Sequence, residues 1–210
     1  MTTMKRLTSG DLVPGDILLH QPADPRWYER GIAWCTGSPY THASIFIGND
    51  TIAEARLPRV RTCSVSRPIR REKALCVLRR SFELTAAQVE SLQAFVEGAL
   101  KREARFDFAF PYTYYSRRLL HKLSGDPRDL TPKGCSEPVN CGRYFCTSFI
   151  VDSFYAMGLI DRSERRSYRL GGHSPADFLT DEKFGNVIGH IEGRTPRGEL
   201  RQHCARAGAV

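Results

Sequence analysis

The sequence predicts an α+β fold, with a mainly antiparallel sheet packed against helices. Three observations carry that expectation. Short β-rich runs crowd the N-terminal part of the chain, and an amphipathic helix pattern begins at Thr85. A second helix pattern begins near Cys146, and one more apolar β-rich run follows at 184–191. At 210 residues the chain can bury one sizeable core without staples. The expected organisation is a single domain over 1–193 and a basic, flexible tail over 194–210, which carries Arg194, Arg197, Arg201 and Arg206.

Each element has a local cause. Pro14-Gly15 is a turn feeding a short buried strand at 17–19. Residues 25–38 read as irregular to helical and end in Thr-Gly-Ser-Pro. Two β-rich runs flank Gly48-Asn49-Asp50, a strong hairpin signal, and a further strand is expected at 74–78. Thr85-Ala-Ala-Gln88 is a capping box, and Val89, Leu92, Phe95, Val96, Ala99 and Leu100 form the apolar stripe of the helix it opens. Residues 105–115 are dense in aromatics, suited to lining a pocket or to ordinary packing. A Gly-, Pro- and Cys-containing loop at 124–142 delivers the chain to the second helix. Phe149, Ile150, Ser153, Phe154 and Met157 share one face of that helix, and Gly158 stops it. Ser174-Pro-Ala-Asp177 reads as the N-cap of a further helix.

Composition excludes several classes. No apolar run reaches the roughly 18 residues of a membrane span, and the N-terminus has no apolar core of a secretory signal. The expected location is therefore cytoplasmic, or outside the cell by a signal-independent route. Seven cysteines without a Cys-x-x-Cys pair argue against a disulfide framework or a zinc ribbon, although Cys135 and Cys141 could pair in an oxidising compartment. The net charge is +8. Between Arg56 and Arg80, nine basic residues face Glu72 alone, an excess equal to that of the whole chain. Such a segment suits an anionic surface or a solvated basic face. It holds no Phe, Trp or Tyr to stack on bases, which argues against nucleic acid as a partner.

Cys146 falls in or beside the first turn of its helix, where unpaired N–H groups and the helix dipole favour a thiolate and should lower its pKa. The same position also suits a small buried hydrophobe, the commonest fate of a free cysteine. A nucleophilic cysteine needs a base, and the base needs an orienting group. Of six histidines, His42 is best placed, at the start of a strand just after a turn. His20 and His190 are weaker rivals near strand ends, while His121, His173 and His203 read as surface residues. Glu54 lies on the returning strand between two alanines, and a lone carboxylate there requires a partner. With a three-residue loop at 48–50, Glu54 shares a sheet face with His42; with a two-residue loop at 49–50 it faces away.

Several segments together resemble a known family. They are Gly15-Asp-Ile-Leu-Leu, Gly37-Ser-Pro-Tyr-Thr-His-Ala-Ser-Ile-Phe-Ile-Gly48, Ile52-Ala-Glu-Ala55 and Tyr144-Phe-Cys-Thr-Ser-Phe-Ile150, with Phe106-Asp-Phe-Ala-Phe110 and Ser174-Pro-Ala-Asp-Phe178 in support. In this order they resemble the circularly permuted, YiiX-like branch of the NlpC-type papain-like cysteine hydrolases, in which the histidine strand precedes the cysteine helix. The resemblance spans about residues 12–190. It implies Cys146 as nucleophile, His42 as general base and Glu54 as orienting residue, without metal or cofactor, and with the Cys146 N–H in an oxyanion hole. Tyr144 and Tyr40 are candidate substrate or oxyanion residues. One departure is Thr-Ser after the cysteine, where Ser-Glu is more usual in the family.

The expected chemistry is acyl transfer through a Cys thioester. The resemblance implies peptide amides such as bacterial cell-wall peptides as substrate. A cell-wall enzyme without a signal peptide would be an exported effector, which implies an inhibitor or immunity partner. A lipid or fatty-acyl hydrolase or acyltransferase is the alternative, and a non-catalytic metal- or partner-binding protein using Cys135, Cys141, Cys146 and a histidine is a further one. Those cysteine spacings fit no common zinc pattern.

Overall fold

In the computed structural model, which describes residues 5–107 and 142–193, the chain opens with β1 (Arg6–Leu7), β2 (Ile17–Pro22) and α1 (Trp27–Thr36). The hairpin β3 (His42–Gly48) and β4 (Thr51–Arg56) follows, then β5 (Arg59–Ser64), the one-turn α2 (Ser66–Ile69) and β6 (Glu72–Arg79). After α3 (Ala86–Lys101) come β7 (Arg105–Phe106), β8 (Arg143–Tyr144), α4 (Cys146–Ala156), α5 (Arg162–Gly171) and β9 (Asn186–Glu192). Among the described residues the strands form one nine-stranded sheet in the order β1-β9-β6-β2-β3-β4-β5-β7-β8. Only β1–β9 and β7–β8 pair in parallel, so the α+β architecture with a mainly antiparallel sheet holds. Cys135, Cys141, His121, His203, the aromatics at 108–115 and the tail at 194–210 lie outside the described residues.

Strand alternation divides the core in two. Ile17, Leu19, Ala43, Ile45, Ala53, Cys76 and Leu78 turn to the face covered by α3 and α4. Leu18, Phe46, Ile52, Leu75 and Val77 turn to the other face and meet Leu7, Leu12, Val65 and Ile191. Helix α4 is the centre of the helical layer. It packs on β3, β4, α3 and α5, and Phe149, Ile150 and Phe154 are fully buried. Each such side chain contributes about 1.5–3 kcal/mol. That outweighs the few tenths of a kcal/mol per residue lost to the β-branched Ile150 and Val151 in a helix. Asp152, buried on α4, is held by a bidentate pair from Arg165 at 2.8 Å, which ties α5 down.

Several sequence expectations need correction. β5 runs through the basic segment, where Arg59 and Arg61 conceal the strand signal of Val60 and its neighbours. β1 and α5 carry too little apolar pattern to stand out. Pro175–Leu179 is a 3-10 helix rather than an α-helix. The basic segment is also less free than its composition suggests. Arg56 and Arg61 turn to Glu54, Arg59 to Glu103, Arg79 to Asp16 and Arg80 to the Lys183 carbonyl, leaving Arg67, Arg70, Arg71 and Lys73 exposed.

The hairpin combines the two alternatives. Asn49 and Asp50 both have positive φ, 49° and 54°, as a two-residue turn of the primed type requires. A register shift between Phe46 and Gly48 then inserts one extra residue. Beyond it Phe46 opposes Ile52 and Ile45 opposes Ala53, the register of a three-residue loop. Glu54 consequently lies on the His42 face.

Candidate active site

Glu54 is 2% exposed, and a carboxylate so deeply buried must be fully compensated. Its Oε2 lies 2.7 Å from His42 Nε2. Its Oε1 accepts from Arg61 Nε at 2.8 Å and lies 2.6 Å from Arg61 Nη2. Arg61 reaches it because β5 pairs Glu54 directly opposite Arg61. Arg56, two residues on along β4 and so on the same face, stands 3.9 Å from Glu54, 3.6 Å from Glu72 and 4.0 Å from Glu29. Burial pushes the Glu54 pKa up, but the His42 hydrogen bond and the charges of His42, His20 and Arg56 more than offset this and hold it below the ordinary carboxylate range.

His42, with a side chain 12% exposed, is pushed down by burial and pulled back by Glu54, and settles at about 4. With Nε2 on Glu54, its Nδ1 makes no hydrogen bond among the described residues. Cys146 is the first residue of α4, after Phe145 in extended conformation. Its sulfur meets the backbone N–H groups of Ala43 and Thr147. The helix start therefore touches β3 at the residue next to His42. The expected lowering of the Cys146 pKa does not hold. Burial at 1% exposure outweighs those N–H groups and the nearby Arg56, and pushes the thiol up to about 12. No hydrogen bond joins Cys146 to His42 among the described residues. At neutral pH Cys146 therefore rests as an uncharged thiol and His42 as an uncharged imidazole.

The other candidates are placed differently. The Tyr144 ring is buried edge-on between Phe95 and Phe149. Tyr40 directs its hydroxyl to the Cys76 thiol, and burial raises its pKa. His190 lies on β9 beside Glu192. His20, a weaker rival in the sequence, sits against His42, with ring centroids 4.9 Å apart. Arg56, Arg61, Ser44 and Glu72 were not legible as site residues. Pairing the basic segment as a strand against β4 would have revealed Arg61.

Nitrogens of His20 and His42 and an oxygen of Glu54 lie within 4.8 Å of one another, a donor set that zinc could use. The surroundings do not favour a dication. Both Glu54 oxygens are already engaged, by His42 and by Arg61, and two guanidinium groups flank the carboxylate. The cluster fits a hydrogen-bonded ion network better than a metal centre.

The arrangement is that of an α+β protein with a histidine–carboxylate pair at a strand start and a cysteine at the adjoining helix start. No protein-family model matches the chain. It is 26% identical over 212 residues to the probable lipoprotein peptidase YaeF of Escherichia coli K12, covering 95% of this chain and 72% of that protein. The crystal structure of the metalloprotein YiiX from Escherichia coli O157:H7 aligns with a TM-score of 0.45 at 15% identity, over 87% of this chain and 89% of that one. No helix among the described residues is long and apolar enough to cross a membrane.

Proposed function

We propose that this protein is a hydrolase of the peptidase type that works through a cysteine thioester. The observation carrying the proposal is the His42–Glu54 hydrogen bond, formed one residue from the backbone N–H that meets the Cys146 sulfur. The likeness to a probable lipoprotein peptidase supports hydrolysis of an amide. The order of a histidine strand before a cysteine helix supports a YiiX-like, permuted NlpC reading.

In this mechanism Cys146 Sγ attacks the substrate carbonyl as His42 Nδ1 takes the thiol proton, giving a tetrahedral oxyanion and an imidazolium held by Glu54. The imidazolium returns the proton to the departing amine, leaving the acyl group on sulfur. Water, deprotonated by the same imidazole, then attacks the thioester and releases the carboxylic acid and the free thiol. N–H groups at the start of α4 are suited to the oxyanion. Because the resting pair is uncharged and the sulfur buried, the thiolate forms during attack, and substrate must open a path to it. Exposed Arg67, Arg70 and Arg71 would favour an anionic substrate or surface.

The test is turnover over a panel of peptide amides, acyl esters and phospholipids, with intact mass spectrometry for an acylated Cys146. Loss of turnover and of the adduct in Cys146→Ala supports the proposal. Full turnover in that variant rejects it. Turnover of esters or phospholipids alone would reassign the substrate to the acyl-lipid class.

A further inference from the structure

Two imidazole–carboxylate pairs lie side by side on one face of the sheet, and the proposed chemistry uses one of them. The second is His20 with Glu72. Both side chains are buried, His20 at 1% and Glu72 at 2% exposure. An imidazole there costs desolvation that an apolar side chain would avoid, so packing alone does not account for it.

The geometry connects this pair to His42. The register sets His20 directly across from His42 on β2 and β3, with ring centroids 4.9 Å apart and planes at 78°. His20 Nε2 is 2.8 Å from Ser44 Oγ, on the same face of β3 two residues beyond His42. Its Nδ1 is buried, makes no hydrogen bond among the described residues and lies 3.6 Å from Glu72 Oε1. Glu72 reaches this face through an irregularity. The β2–β6 register shifts between Gln21 and Pro22, so Pro22 opposes Glu72, where an unbroken ladder would place Lys73. Arg56 then spans the two carboxylates, 3.6 Å from Glu72 and 3.9 Å from Glu54.

We propose that His20 is a positioning residue for His42. Anchored on Ser44 and backed by Glu72, its ring fixes the plane of the His42 imidazole, so that Nε2 stays on Glu54 and Nδ1 stays free for the thiol proton. The proposal rests on Cys146 and His42 being the working pair. When His42 takes that proton, the charged or titratable groups around the two rings, among the described residues, are Glu54 and Arg56 from β4, Arg61 from β5, Glu72 from β6, Glu29 from α1 and Cys146 from α4. The three carboxylates of Glu29, Glu54 and Glu72 balance Arg56, Arg61 and the new imidazolium.

The experiment compares wild type, His20→Phe and His20→Gln, whose amide can reach the position of Nε2 and keep the Ser44 contact. It measures kcat and KM on the substrate found in the panel, and 15N chemical shifts of the His42 ring. Loss of positioning should lower kcat of His20→Phe about 10–100-fold at unchanged KM. The His42 ring should pass from one tautomer to a mixture, and His20→Gln should recover most of both. Wild-type kcat in His20→Phe, or a kcat loss without a change in the His42 spectrum, overturns the proposal. If His20→Phe does not fold, His20→Gln decides alone: wild-type kcat with one His42 tautomer supports positioning, and a mixed tautomer overturns the Ser44 anchor. Full turnover in Cys146→Ala would sink the working pair instead, and the His42 spectrum would still report whether His20 holds the ring.

Discussion

Glu54 Oε2 and His42 Nε2 meet at 2.7 Å across the β3–β4 hairpin, and one extra residue beside Gly48 makes that meeting possible. Without the shift in register, the same two-residue turn would send Glu54 to the helix-facing side of the sheet. There it would be an uncompensated charge against Ala43 and Ile45, which turn to that face.

Replacing Glu54 tests this network. Glu54→Gln keeps the shape but leaves Arg56 and Arg61 facing a neutral amide. Because both guanidinium groups are partly exposed, the expected loss of stability is about 2–4 kcal/mol, at or below the range for breaking a buried pair. Urea unfolding measures it. A loss under about 0.5 kcal/mol, the usual range for a featureless surface change, would mean that Glu54 is solvated.

Acid should destabilise the fold in two overlapping steps. His42 binds its proton at about 4 when folded, against an ordinary 6.5. Between those values the unfolded chain holds more protons, so stability falls as pH drops, by up to about 3 kcal/mol. Glu54, depressed when folded, contributes stability that is present above its ordinary 4.5 and is lost below it. Urea midpoints measured from pH 7.5 to 4 should decline, and the decline above pH 5 should flatten in His42→Gln. An unchanged slope in that variant would assign the acid sensitivity to other groups.

The resting thiol should be slow to react. With Cys146 pushed up to about 12 and buried, its alkylation by iodoacetamide at pH 7.5 should lag behind that of partly exposed Cys35. Peptide mass spectrometry with time-resolved labelling reads both sites in one sample. Fast labelling of Cys146 near pH 6 would reveal a thiolate at rest and overturn the raised pKa of Cys146.

Gly185 offers a test of the fold away from the site. Its φ is 110°, and an added Cβ would lie 2.5 Å from the Arg79 carbonyl carbon and 2.8 Å from the Arg80 nitrogen. Backbone atoms cannot swing aside as a side-chain end can. Gly185→Ala should therefore lower thermal stability by at least about 1–3 kcal/mol. A melting temperature within a degree of wild type would contradict the close approach of this loop to the end of β6.

Local chemistry was legible wherever one residue type dictates one conformation. The Thr85–Gln88 capping box opens α3, with Gln88 N–H donating to Thr85 Oγ1. The Gly48-Asn49-Asp50 turn closes the hairpin, and the apolar face of α4 is buried as its spacing requires. β5 was hidden because a strand whose outward and site-facing positions carry arginine has the composition of a solvated segment. The cysteine, the histidine and the glutamate could be singled out, but not their protonation states.

By itself, then, the sequence determined the α+β class, the order of a histidine strand before a cysteine helix, and which three side chains merit attention. Those follow from turn chemistry, capping and periodicity, all set within a few residues. Only the tertiary structure decided the face on which Glu54 lies, the recruitment of Arg56, Arg61, His20 and Glu72 around it, and the neutral state of Cys146. Each of these depends on strand register or on burial, and both arise from residues distant in the chain.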